Sequence, residues 1–368
     1  MKSRIAIPVF VILVLSIPPD MVAQSAFRTL DVPGAVDTFP GGINPAGEIA
    51  GSYVDANFRS HGFLRERNGT FIRFDVPGAS GTNGGAINPA GEIAGSYTDA
   101  VFAEHGFLRE PNGTITTFDA PGAGTTTSPQ GTVPFSINSA GKISGSYVDE
   151  NYVSHGFLRE PDGRILSFDA PGVGPGGGPN QDGTHALTIN PQGKITGYYQ
   201  DAQEAIHGFL REPDGTFTTF EAPGAATTMA DFGTLAIGID PAGAITGYYS
   251  DGTSPPDSSQ VVYHGFVRKP DGAFITFDVP GAVATFPSSN GPAGVIVGWY
   301  SDANEVNHGF LRRRDGSITT FDAPGAGTNQ FEGTFPGGIN PAGFIIGEIQ
   351  ATDAGPVTHG FLRIPHAK

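Results

Sequence analysis

His61-Gly62-Phe63-Leu64-Arg65 decides the architecture, because this phrase keeps returning down the chain. It recurs from His105, His155, His207, His308 and His359, and as His-Gly-Phe-Val-Arg from His264. The seven copies stand 44 to 57 residues apart and between them account for nearly all of the 368 residues. Self-similarity at this period marks a repeat fold, in which each repeat is one supersecondary unit that cannot bury its apolar face alone.

Working outward from His61, one repeat divides into four extended pieces. The first is short and ends at Ile43-Asn44, where Pro45-Ala46-Gly47 supplies a turn with Gly at the position of positive φ. The second runs from Glu48 to Asp55, and a looser loop leads to the third, His61 to Glu66. Arg67-Asn68-Gly69 then turns the chain into the fourth piece, Thr70 to Asp75, which closes in Val76-Pro77-Gly78. Short β-branched and aromatic runs bounded by Gly and Pro read as strands, and no segment after the leader sustains a helical apolar period. Gly (55) and Pro (31) fall at fixed places in each repeat, so they read as turn chemistry.

Four antiparallel strands repeated seven times predict an all-β, seven-bladed β-propeller spanning residues 26–368 as a single domain. The two ends carry complementary fragments of one repeat. Phe27-Arg28-Thr29-Leu30-Asp31-Val32-Pro33-Gly34 matches the ending of a unit, and the chain stops just after the His359 phrase, where that ending is missing. The N-terminal piece is therefore expected to serve as the outermost strand of the last blade, which leaves no long exposed sheet edge. Glycines before the innermost strand (Gly41-Gly42, Gly84-Gly85, Gly337-Gly338) suit a crowded axis.

Residues 1–25 have the features of a secretory signal: Lys2 and Arg4, an apolar Ile5 to Ile17, and small residues around Ala23-Gln24-Ser25. The apolar run is short for a membrane span and contains Pro8. Secretion to a periplasmic or extracellular location is expected, with no membrane insertion after cleavage.

The pairing of Gly42-Ile43-Asn44-Pro45-Ala46-Gly47 with the later His-Gly-Phe-Leu resembles the HAF family of extracellular repeat proteins, over residues 27 to about 363. Two departures stand out: Gly follows each His where the family has Ala, and Asn290-Gly291 replaces Ile-Asn in the sixth repeat. The resemblance implies an exported, bacterial-type repeat protein with no assigned biochemical activity.

The formal charge is −16, so nucleic acid and anionic lipid are set aside as partners. With no cysteine, disulfides and thiolate metal sites are also excluded.

The recurring His is the obvious candidate for chemistry. The Arg67–Gly69 turn sets a register that puts His61 opposite Asp75. The same reading pairs His105 with Asp119, His155 with Asp169, His207 with Glu221, His264 with Asp278 and His308 with Asp322. His359 would face Asp31 from the other end of the chain. A His beside a carboxylate suits a nucleophilic triad or an oriented metal ligand, but catalysis needs one asymmetric site and these pairs come in seven copies. They read as structural clamps. A second recurring acid (Asp55, Asp99, Asp149, Asp201, Asp251, Asp302, Asp353) closes the second strand; a carboxylate ring suits calcium, yet capping of the loop backbone explains it, so no cofactor is expected. Arg65 and its equivalents read as inter-blade hydrogen bonding.

Function is expected where the repeats disagree, on the variable loops Gly172 to Ala186, Ala225 to Ala236, Asp251 to Tyr263 and Ala326 to Pro336. His185, Asp182 and Asp251 on these loops, and the single tryptophan Trp299, are the candidate binding residues. The reading is a monomeric, non-catalytic scaffold that binds an extracellular glycan or exported protein. A lyase or hydrolase with its site at the central opening is the runner-up, followed by a structural envelope protein.

Overall fold

The computed structural model describes residues 27–174, 183–227, 232–253, 261–352 and 357–365. The expected leader at 1–25 and the candidate Asp182 lie outside the described residues. Among the described residues no helix is long and apolar enough to cross a membrane.

The chain is all-β and built from four-stranded antiparallel sets. In the first, Asp37–Ile43 pairs with Ile49–Val54, which pairs with Ser60–Arg65, which pairs with Phe71–Phe74. The set recurs with innermost strands Gly81–Ile87, Gly131–Ile137, Thr184–Ile189, Thr234–Ile239 and Ala284–Asn290. The last set orders Gly333–Ile339, Ile345–Ala351 and Val357–Arg363, and its outer strand is Phe27–Thr29, with Phe27 opposite Arg363. In four places among the described residues neighbouring sets touch through a single parallel pair: Glu104 with Gly131, Ser154 with Gly183, Ile206 with Gly233 and Asn307 with Gly333.

The repeated phrase supplies the core. Phe63, Phe107, Phe157, Phe209, Phe266 and Phe310 are fully buried, as are Ile49, Ile93, Ile143, Ile195 and Ile245. The apolar clusters lie between successive sets: Leu64 and Val76 of one pack with Ile93 and Phe107 of the next. Leu30, Val32, Ile346 and Leu362 meet Ile49, Tyr53 and Phe63 in the same way. The Gly after each His has a packing reason. A Cβ on Gly62 would sit 2.4 Å from the Phe74 ring, which lies across it from the outer strand.

Three expectations are corrected. The innermost strand starts at Asp37, so Gly41-Gly42 lie inside it, where the register shifts between Pro40 and Gly42. The shift explains the glycines: a Cβ on Gly41 would stand 2.8 Å from the Gly85 carbonyl oxygen of the next set. The link from second to third strand is not loose in most sets. Among the described residues it is a tight turn at Asp55–Arg59, Asp99–Ala103, Asp149–Val153, Asp201–Ala205 and Asp302–Val306, the last residue of each accepting from the first through the backbone. The recurring Arg joins neighbours by stacking, with Arg109, Arg159, Arg211, Arg268, Arg312 and Arg363 4.6 to 5.0 Å over Phe rings of the preceding set. A planar cation fits between sheet edges that offer aromatic faces and few free carbonyls, and the guanidinium bonds reach only the adjacent residue's carbonyl, as from Arg109 to Glu110.

Candidate functional site

Six of the seven recurring His lie between two carboxylates; for His359 the second expected acid, Asp353, lies outside the described residues. His61 Nδ1 is 2.8 Å from Asp75 Oδ1, and its Nε2 is 3.4 Å from Asp55 Oδ2. The arrangement repeats at His105, His155, His264 and His308, with Nδ1 contacts of 2.8 to 3.0 Å and Nε2 contacts of 3.4 to 3.8 Å. His207 meets Glu221 through Nδ1 and Asp201 at 3.0 Å through Nε2. His359 Nδ1 stands 2.8 Å from Asp31 Oδ2. A Tyr from the second strand stacks beneath the ring, as Tyr53 does under His61 at 5.0 Å.

The inner acid has a second task. Asp55 Oδ1 accepts from the N–H groups of Asn57 and Arg59, fixing the turn. The Arg59 N–H holds this carboxyl down at about 2 against the opposing effect of burial, with help from Asn57. The hydrogen bond to Asp169 holds the His155 ring up, burial opposing it, and Glu221 does the same for His207. An imidazole with both nitrogens facing carboxylates and one face covered by a Tyr ring is held on three sides, as a structural clamp would be. Among the described residues no group of three or more His, Cys, Asp or Glu is arranged to hold a metal ion.

Asp251 turns out to be the inner acid of its own clamp, 3.4 Å from His264 Nε2 and capped by the Thr253 N–H and hydroxyl. Burial pushes its carboxyl up, but the Thr253 and His264 bonds outweigh that and hold it low. His185 is not a loop residue: it stands on the innermost strand Thr184–Ile189, half-buried and stacked on Tyr198 at 4.6 Å. Trp299 lies 4.0 Å from Phe286, ring on ring, and makes an edge-on contact at 5.3 Å with Phe335 of the following set.

His185 and Trp299 thus belong to one non-repeating register level. Its second-strand members are Ser52, Ser96, Ser146, Tyr198, Tyr248, Trp299 and Glu348; the innermost-strand partners of the last four are His185, Leu235, Phe286 and Phe335. Burial raises the Tyr198 and Tyr248 phenols and pushes the Glu348 carboxyl up to about 7. The signal was in the sequence, as Gly-Ser-Tyr changing to Gly-Tyr-Tyr, Gly-Trp-Tyr and finally Gly347-Glu348-Ile349.

The Asp-capped turns display a second feature. Phe58, Phe102 and Tyr152 occupy the same turn position in successive sets, with φ of 59°, 63° and 64°. They are 83%, 63% and 40% exposed. Bulky L-residues rarely adopt left-handed backbone, because Cβ crowds the following carbonyl. Glu204 and Glu305 fill this position in two other sets.

No protein-family model matches the chain, and no curated protein matches it. Solved structures do. Selenomethionine-substituted virginiamycin B lyase from Staphylococcus aureus is similar at 12% identity and TM-score 0.51, over 92% of this chain and 100% of that one. Acylaminoacyl peptidase from Pyrococcus horikoshii is similar at 10% identity and TM-score 0.54, over 87% of this chain and 50% of that one, so the chain spans about half its length. These likenesses place the four-stranded sets in the β-propeller class of fold. At such identities they speak of fold alone.

Proposed function

We infer that the chain is an exported β-propeller of the HAF repeat type, with seven blades closed by its first strand, whose role is to bind a neutral glycan on the rim carrying the Asp-capped turns. Export is supported by the basic, apolar and small-residue order of residues 1–25, and closure by the pairing of Phe27–Thr29 with Val357–Arg363.

The observation that carries the binding role is the set of exposed rings at Phe58, Phe102 and Tyr152. Holding a bulky residue at left-handed φ costs on the order of 1 kcal/mol, and a ring left in solvent recovers nothing by burial. Asn or Gly would make the same turn without strain. The rings are single platforms separated by polar turns, which suits the apolar face of a pyranose better than a continuous protein surface. Asn57 and Asn151, each one residue before its ring, donate one amide N–H to Asp55 and Asp149 and keep the amide oxygen and second N–H for sugar hydroxyls. The formal charge of −16 selects against acidic polysaccharides. Repetition around the rim would turn weak single contacts into avidity.

The test is a glycan array read with the wild type and with Phe58→Asn/Phe102→Asn/Tyr152→Asn, in which Asn tolerates the backbone. Binding of neutral glycans that disappears in the triple variant, with an unchanged or higher melting temperature, is the expected result. An array that stays blank, or binding the variant retains, contradicts the reading; capture of an exported protein in place of a sugar would reassign the rim to a protein partner.

A further inference from the structure

The opposite face carries a belt of side-chain amides that the glycan reading does not use. At the turn after five of the seven innermost strands, an Asn donates to the backbone carbonyl of the equivalent residue in the next set. Asn44 reaches Asn88, Asn88 reaches Asn138, Asn138 reaches Asn190 and Asn190 reaches Asp240, at 3.0 to 3.3 Å. Asn340 reaches Asn44 at 3.1 Å. The belt fails at two adjacent places: Asp240 has no N–H to pass on, and Gly291 has no side chain. There the turn of the sixth repeat is rebuilt as a short 3-10 turn, Pro292–Gly294, with Ala293 at φ 62°.

A cavity of about 750 Å³ opens at this break. Asp240 is only 7% exposed and lines it. Its Oδ1 accepts from the Ala244 N–H at 2.8 Å. Asn290 donates to the carbonyl of the same Ala244 at 3.1 Å, and its Oδ1 is buried without a partner. That oxygen is buried beside Gly238, away from the cavity, so the acceptor the cavity offers is the carboxylate of Asp240, which is anionic and able only to accept. A carboxylate on the wall of a mostly apolar cavity is best matched by a charged donor, so the site calls for a cation. Val267, Ile275, Val295 and Pro270 supply apolar wall, and Lys269 and Arg314 also line the cavity. An apolar pocket of this size with a few convergent polar groups has the usual form of a small-molecule site.

We propose that the cavity bounded by Asp240, Asn290, Lys269 and Arg314 binds a small zwitterion: a primary ammonium on an apolar body, with a carboxylate beyond it. The ammonium donates to Asp240, the body fills the apolar wall, and the carboxylate meets Lys269 and Arg314. An apolar amino acid and the two ends of a short peptide share this chemistry.

Titration calorimetry on the full chain tests it, with L-phenylalanine and a Phe-Phe dipeptide as probes, which separate the two sources. N-acetylphenylalanine, lacking the ammonium, and phenethylamine, lacking the carboxylate, are the comparisons. At least one zwitterionic probe is expected to bind, about tenfold or more tighter than both comparisons. Asp240→Asn is expected to weaken that probe by about tenfold or more, while the melting temperature holds or rises because Asn is what the other turns carry. Ala242→Trp, an exposed lining residue enlarged at the mouth, blocks binding sterically without touching the acceptors. Absence of heat with both zwitterions, equal binding of N-acetylphenylalanine, or full binding by Asp240→Asn overturns the proposal.

Discussion

The clamp at His155 and the clamp at His359 use the same atoms, yet they do different work. His155 and Asp169 are 14 residues apart in one hairpin, so the chain itself keeps them near each other. His359 and Asp31 are 328 residues apart, and Asp31 also accepts from the Gly360 N–H at 3.2 Å. No turn joins these strands. An identical contact reinforces what is already closed in the first case, and in the second it holds the two ends of the chain together. The lesson is that the weight of a repeated interaction depends on what connectivity already supplies.

The region joining the ends also departs from the pattern in composition. Leu30 stands where other outer strands have Phe, so Arg65 has no ring from a preceding set and lies 6.0 Å over its own Phe71. Glu348 replaces the Ser, Tyr or Trp of the other sets. These differences give four ways to sharpen the comparison. The largest effect is expected from Leu30→Ala, which removes a fully buried side chain and should cost about 3 kcal/mol by denaturant titration; a loss below 1 kcal/mol would show that the N-terminal strand contributes little.

Next in size is Glu348→Gln. Burial raises this carboxyl from 4.5 to about 7 in the folded chain. The unfolded chain therefore releases its proton first, and stability should fall as pH rises between those values. The Gln variant should match wild type at pH 4 and exceed it by about 2 kcal/mol at pH 8. Parallel curves for the two proteins across that range would contradict the assignment.

His359→Ala should cost about 1 kcal/mol and His155→Ala about half of that. For His155 the sign of the pH dependence is fixed by its raised value: the clamp acts in full below 6.5 and fades as pH passes the folded value. The penalty for His155→Ala should accordingly be larger at pH 5 than at pH 9. Smallest is Phe58→Asn, expected to raise stability by about 0.5 kcal/mol through relief of left-handed strain; a destabilised variant would mean the ring packs on something.

The hairpin pairings are readable in the sequence because Arg67-Asn68-Gly69 and its equivalents never change length, so one turn fixes every register. Complementary ends are readable for the same reason. The length of the innermost strand is not, since Gly41-Gly42 mimic a break and in fact sit at an irregularity inside the strand. Nor is the tightness of the Asp55–Arg59 turn, because Phe58 at positive φ is not a residue that propensity places there. His185 looks like a loop residue from its Gly-rich approach, whereas strand pairing with Tyr198 claims it. The break at Asp240 and Gly291 is visible as two exceptions, but its consequence depends on where Asn side chains reach in space.

Closure is tested most directly by a cross-link. The chain has no cysteine, and Phe27 lies opposite Arg363, one step out of phase with the Leu30 to Gly360 backbone bond. Such non-hydrogen-bonded pairs bring Cα atoms to about 4.5 Å, within disulfide range. Phe27→Cys with Arg363→Cys should oxidise to a single intramolecular disulfide in the native protein, seen as a faster-migrating monomer on a non-reducing gel. Free thiols, or only intermolecular dimers, in a protein that remains folded would contradict the closed ring.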